Sequence, residues 1–195
     1  FHVLAEVDER SDVFIALRRA GFSVYAWQRM WDVSEITAAN RSIEWKRVKP
    51  VHTQMIQSLY HQIVPPLLQP IEPQPRGTLG WLCNEGEKCY ISATQGAYGI
   101  VLFPLIHPEA TDVSEKLASL ISNLPDRRNR PVYVCVRSYQ AWLEPVLADL
   151  GAQGADRQAV MVKHLAHLVK DEQTVPAVPK GVTVQPSRVS RIQHK

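Results

Sequence analysis

The chain has 195 residues, of which 45% are hydrophobic and 21% charged, an ordinary balance for a globular protein of one domain or one and a half. No apolar run approaches the roughly 18 residues a membrane helix needs, so no helical membrane span is expected. The formal charge of +3 is small and collects at one end: after Glu172 there is no acid, while Lys180, Arg188, Arg191 and Lys195 follow.

The opening FHVLAEV reads as a strand already under way, which suggests a processed or partial chain. SDVFIALRRAG reads as a helix. Ser11 or Asp12 can cap it, Val13, Phe14, Leu17 and Ala20 share a face, and Gly21 can end it in a left-handed conformation. FSVYAWQRMWDV alternates as a strand and places Tyr25, Trp27 and Trp31 on one face. That stripe suits either core burial or a protein interface.

SEITAANRS is a linker and IEWKRV a short strand. Pro50 opens a helix through VHTQMIQSLYHQIV, with Met55, Ile56, Leu59, Tyr60 and Ile63 at helical spacing. The following PPLLQPIEPQPRG is too rich in proline for helix and is long for a connection, so it is expected to line a groove or meet a partner. TLGWLC, KCYISAT and AYGIVLFPLIH, joined by the turns NEGE and QG, form an antiparallel meander.

LIHPEATDVSEKLASLI then reads as strand end, turn and helix. Asp112 and Glu115 have capping-box spacing, and Leu117, Leu120, Ile121 and Leu124 give the helix its buried face. LPDRRNRP is a basic loop. VYVCV is a buried strand and SYQAWLEPVLADLG a helix with Pro145 near its start. RQAVMVKHLAHLV is a long last strand. Residues 173–195 form a basic, disordered tail by default.

One repeat stands out. HVLAEV, DERSDVFIALRRAGF and SVYAWQRMW share their layout with PVYVCV, RSYQAWLEPVLADLGA and QAVMVKHLA. Each is a strand, a helix closing in Leu-x-x-x-Gly (Leu17 to Gly21, Leu147 to Gly151) and a long strand. A unit that small cannot bury enough surface alone, so residues 1–34 need cover from this chain, a preceding segment or a protein partner.

From Ile43 the order is β–α–β–β–β–α–β–α–β, with LIHPEA at the end of the strand that feeds the helix at Asp112. This layout resembles the GNAT superfamily of acyl-CoA-dependent N-acyltransferases. The resemblance implies an α/β fold: a mixed, mostly antiparallel sheet flanked by helices, here preceded by a β-α-β half-repeat. The domain boundaries expected are 1–34 for the partial repeat, 35–42 for a linker, 43–172 for the GNAT-like domain and 173–195 for the tail.

The resemblance also implies a cofactor site. In the family, a glycine-bearing loop and a helix N-terminus grip the coenzyme A pyrophosphate. That site maps to His107–Asp112, with Leu105, Ala110, Thr111, Asp112 and Val113 as the contacts if acetyl-CoA binds. Pro108 lacks an N–H, and Glu109 and Asp112 would repel a diphosphate. The family's general-acid Tyr slot is Leu147, and in the first unit Leu17. An Asn found seven residues ahead of that Tyr falls on Gln140. Tyr139 and His107 remain as candidate acid and base.

Other chemistry is thin. His164 and His167, three apart on a strand, face opposite sides, so no metal site is expected. Arg127, Arg128 and Arg130 lie at the far end of the sheet from the coenzyme loop and read as a solvated loop. Hydrolase, P-loop and dinucleotide motifs are missing. Cys83, Cys89 and Cys135, odd in number, read as reduced thiols in a cytoplasmic protein. A nucleic-acid partner is not expected. Two functional readings stay open: a non-catalytic structural or protein-interaction module with no cofactor, or an N-acyltransferase using acetyl-CoA. The altered loop and the missing Tyr favour the first.

Overall fold

The computed structural model describes residues 1–37, 43–75, 79–83, 88–125 and 127–165. The expected NEGE turn, His167 and the basic tail lie outside them. The elements run β1 (His2–Asp8), α1 (Asp12–Arg19), β2 (Ser23–Asp32), β3 (Trp45–Arg47), α2 (Thr53–Ile63), β4 (Gly80–Cys83), β5 (Cys89–Gly96), β6 (Gly99–Ile106), α3 (Val113–Ser122), β7 (Val132–Arg137), α4 (Leu143–Asp149) and β8 (Gln153–His164). The strands form one mixed α/β sheet in the order β1-β8-β2-β7-β6-β5-β4-β3. Among the described residues only β6 and β7 run parallel.

Alternation along the strands builds a core on each face. Trp81, Ile91, Leu102, Val132, Val134 and Val136 point to the face covered by α3 and α4, where Leu117, Leu120, Ile121, Leu143 and Leu147 close over them. Leu82, Tyr90 and Leu105 point the other way, to Ile56, Leu59 and Tyr60 of α2. The expected buried face of α3 is therefore present, with Leu124 joining it.

Two helices differ from their expected form for local reasons. The helix after Pro50 begins as a 3-10 turn over Pro50–His52, closed by the His52 Nδ1, which accepts from the Lys49 N–H at 3.0 Å. The stretch after β7 breaks into a 3-10 turn, Ser138–Gln140, and then α4. Pro145 cannot donate to the Ala141 carbonyl, and the Glu144 N–H takes that carbonyl instead at 3.0 Å.

The capping box at Asp112 does not form. Asp112 sits in the left-handed region (φ 51°), and its side chain makes no cap bond. An N-cap side chain folds back from an extended residue, and this backbone turns it away. The Asp112 carbonyl still accepts the Lys116 N–H at 3.0 Å.

The first strand–helix–strand does not stand apart from the sheet. β2 lies between β7 and β8, and β8 lies between β1 and β2, so the two repeats clasp one another. They are related by a local two-fold axis between β2 and β8. Gln28 and Gln158 face each other there, and Asp8 and Arg137 lie opposite Gln158 and Gln28 respectively. Both helices end alike. Gly21 and Gly151 each have φ 86°, and the Phe22 and Ala152 N–H groups return to the Leu17 and Leu147 carbonyls at 3.0 Å.

The aromatic stripe on β2 is split by a bulge between Val24 and Ala26. Trp27 packs against Phe14 of α1, and Trp31 enters the core beside α4. The extra residue in the bulge reverses the alternation, and Tyr25 turns to the opposite face, beside Glu72 and Arg137.

The helix ends give a direct test of the repeat. An added Cβ at Gly151 meets nothing within 4 Å, and at Gly21 only the Lys163 Cε at 3.9 Å. Gly21→Ala and Gly151→Ala should each destabilise by about 1 kcal/mol, through the left-handed backbone alone, as read from urea unfolding.

Candidate active site and coenzyme cleft

β6 and β7 pair over three positions, Ile100 with Val132, Val101 with Tyr133 and Leu102 with Val134, and then part. β6 continues to Ile106 with β5 still bonded along its other edge. The parting leaves strand groups of β6 facing a cleft. One side chain fills it. Gln140, buried in the turn after β7, accepts from the Ile106 N–H at 3.0 Å and donates to the Pro104 carbonyl at 2.8 Å. Its carboxamide takes the part of a missing strand residue.

The loop beyond β6 is tied internally. The His107 N–H donates to the Lys88 carbonyl at 2.8 Å, and the Ala110 N–H donates to the His107 carbonyl at 2.9 Å. The His107 Nδ1 accepts the Glu109 N–H at 3.2 Å. The exposed Glu109 carboxylate meets the Lys88 ammonium at 3.1 Å. Lys88 holds its carboxyl below the usual carboxylate range, first through the hydrogen bond and then through charge. The Lys116 ammonium, drawn inside, donates to the Thr111 carbonyl at 2.7 Å. Ala110 and Thr111 line a small pocket of about 230 Å³ with Lys88, Cys89 and Lys116. Val113 is buried in the α3–α4 core.

A cavity of about 920 Å³ opens on the α2 face, lined in part by Glu6, Tyr60, Glu72, Leu105, Arg137 and Tyr139. The proline-rich stretch after α2 forms one wall through Glu72, Pro73, Gln74 and Pro75. The Tyr60 hydroxyl holds that wall with its single proton, which faces the Glu72 carbonyl at 2.9 Å and the Gln69 carbonyl at 3.2 Å.

At its floor lies a charge network built on buried Arg137, Glu72 and Gln28, with the more exposed Glu6 at its edge. The Arg137 Nε donates to the Glu72 Oε1 at 2.9 Å and its Nη2 to the Glu6 Oε1 at 3.2 Å, while its Nη1 donates to the Gln28 Oε1. The Gln28 Nε2 donates in turn to Glu6 at 3.1 Å and to Gln158 at 2.8 Å. Burial alone would weaken the proton's hold on Arg137, but Glu72, Cys135 and Glu6 more than reverse this and raise its pKa. Burial, and after it Glu72, pushes Tyr139, Tyr25 and Tyr60 up. The Cys135 thiol is pushed up to about 12, mainly by burial.

The sequence candidates therefore fall into separate places. Tyr139 and Leu105 line the large cavity, Ala110 and Thr111 the small pocket, and His107 neither. Leu147, in the general-acid slot, is fully buried. Arg137, Glu72, Glu6 and Gln28 were not singled out in the sequence. Arg137 follows an apolar strand and Glu72 lies in a proline-rich connection, so spacing alone does not join them. The Arg127–Arg130 loop is scaffold: the Arg127 Nη2 donates to the Ser34 carbonyl at 2.5 Å, and the Arg130 Nη1 to the Gly96 carbonyl at 3.2 Å. The described residues hold no cluster of three or more His, Cys, Asp or Glu able to hold a metal, and no helix among them is long and apolar enough to cross a membrane.

Arg137→Ala should lower stability by about 3–5 kcal/mol, because it strands buried Glu72. The check is a lower urea midpoint at unchanged slope, with the paired change Arg137→Met and Glu72→Leu costing less. Gln140→Ala should cost about 1–3 kcal/mol by leaving the Ile106 N–H and the Pro104 carbonyl unpaired, measured the same way.

No family model matches the chain, and no curated protein matches it. Solved structures do. A putative acetyltransferase of the GNAT family from Novosphingobium aromaticivorans aligns at TM-score 0.57 and 10% identity, over 85% of this chain and 75% of that one. A GCN5-related N-acetyltransferase from Kribbella flavida aligns at 0.51 and 12%, over 85% and 69%. One from Sphaerobacter thermophilus aligns at 0.51 and 14%, over 83% of this chain and 59% of that chain, so the chain spans under two thirds of its length. At such identities the likeness concerns the fold. The parted β6 and β7, the helix that follows each of them and the sheet order place this chain in the GNAT fold.

Proposed function

We propose that this GNAT-like fold is a non-catalytic structural and protein-interaction module. The observation that carries the reading is the Gln140 bridge. Coenzyme A presents its acyl group on an arm containing amides, and parted parallel strands expose the groups such amides could pair with. Here the Ile106 N–H and the Pro104 carbonyl are already joined by a side chain of the same chain. An incoming arm would have to displace a buried carboxamide and leave it unpaired, which costs about 1–3 kcal/mol.

Three further observations agree with this. The loop amides of Glu109 and Ala110 are spent on His107, and Glu109 adds a carboxylate to the loop onto which the resemblance maps the diphosphate site. Leu147 has no proton to give. Tyr139 holds its proton more firmly than an ordinary tyrosine, the wrong direction for a general acid working near neutral pH. Three cysteines, all buried and none in a disulfide among the described residues, fit a reducing compartment such as the cytoplasm.

The second reading is an acyl-CoA-dependent N-acyltransferase, and one feature favours it. The large cavity reaches Leu105 on β6 and Tyr139 after β7, the two sides of the parting strands. An amine held there would meet an acyl group coming through the cleft.

Acetyl-CoA and coenzyme A, titrated to millimolar, should leave the melting temperature of this protein unchanged. A ligand at 100 times its Kd stabilises by about 2.7 kcal/mol, so a clear rise would replace the module with the enzyme.

A further inference from the structure

We propose that the outer edge of β1 and the apolar side of α1 are the docking surface for a strand–helix unit of a second GNAT-like copy, carried in the same polypeptide ahead of β1. The argument rests on the two-fold axis at Gln28 and Gln158. Around it, Val3, Ala5 and Val7 of β1 correspond to Val132, Val134 and Val136 of β7, because each pair holds matching positions against β8 and β2. The shared helix ending sets Val13 and Leu17 against Leu143 and Leu147.

The two sets of residues have the same apolar character and differ in burial: Ala5, Val7 and Leu17 are only half-buried, and Val3 and Val13 are exposed. Val132, Val134, Val136, Leu143 and Leu147 are all 1% exposed or less. Val3 is 44% exposed, Val13 is 56% exposed, and α1 has no buried residue at all. The difference is what covers them. β7 has β6 running parallel along its free edge, and α3 closes over α4 through Leu117, Leu120 and Ile121. β1 has β8 on one side and no described strand on the other.

An open strand edge and an amphipathic helix with nothing buried are features that folded proteins cover. The axis specifies the cover: a strand parallel to β1, then a helix whose apolar side meets Val13 and Leu17. It also specifies the source. In the C-terminal unit the covering pair, β6 and α3, leads directly into β7. Its counterpart would lead directly into β1, so the same polypeptide is the simplest supplier. A separate chain would need to align a strand and a helix at once without that connection.

This surface names the partner in the interaction reading above, yet the two fail separately, since the coenzyme titration does not involve β1. The test begins with the intact mass of the native protein from cells that make it. Amide exchange is then compared between that native chain and residues 1–195 alone. The expected native chain extends ahead of Phe1, and β1 and α1 exchange at least about tenfold more slowly in it, since edge and cover open together. Val13→Asp should lower Tm by more than about 5 °C in the longer chain and by about 1 °C or less in residues 1–195. A native chain with no segment ahead of Phe1 overturns the proposal. So does a longer chain in which β1 and α1 exchange as fast as in the shorter one.

Discussion

A single buried guanidinium connects most of what is distinctive here. Arg137 ends β7, and its donors reach Glu72 after α2, Gln28 on β2 and Glu6 on β1, while Gln28 passes the chain on to Gln158 on β8. The four strands nearest the two-fold axis and the wall of the cavity thus share one network. Its worth lies in specificity. Two charges withdrawn from water gain little net stability, but any arrangement that separates them is heavily penalised. A different register of β1 or β2 would take Glu6 or Gln28 away from Arg137 and leave a buried guanidinium donor unpaired, although its pair with Glu72 would remain. The network thereby selects the clasped order over others that hydrophobic burial would accept.

The same network bears on function. It engages all three guanidinium nitrogens of Arg137, and the neighbouring tyrosines are held in their protonated forms by burial and by Glu72. Across the sheet, Gln140 consumes the two strand groups freed where β6 and β7 part. At the cleft the fold satisfies itself with its own side chain where a working site would keep groups in reserve, whereas at the cavity floor Glu72 Oε2 has no hydrogen-bond partner among the described residues. The closed cleft, more than any single missing residue, is what supports the proposed scaffold reading.

Much of the fold was legible in the sequence because it depends on short-range physics. The period of Leu117, Leu120 and Ile121 marked α3, and the apolar VYVCV marked a strand buried on both faces. Leu-x-x-x-Gly identified both helix ends, which share one φ value. The candidate site was legible only in outline. The resemblance maps the family's coenzyme loop onto His107–Asp112, and the spacing has Asp112 capping α3, but a left-handed backbone overrides that motif. It placed Gln140 in a slot of interest, though not its reach back to Ile106 and Pro104. One extra residue in β2 was enough to move Tyr25 to the other face.

The sequence by itself determined the elements, their order, the repeat and the absence of a proton donor at Leu147, since all of these follow from residue type and local spacing. Only the tertiary structure decided that the two repeats interleave, that Glu6, Gln28, Glu72 and Arg137 converge, and that Gln140 closes the cleft. These are contacts between residues far apart in the chain. They are set by which strand lies beside which, and no local pattern carries that information.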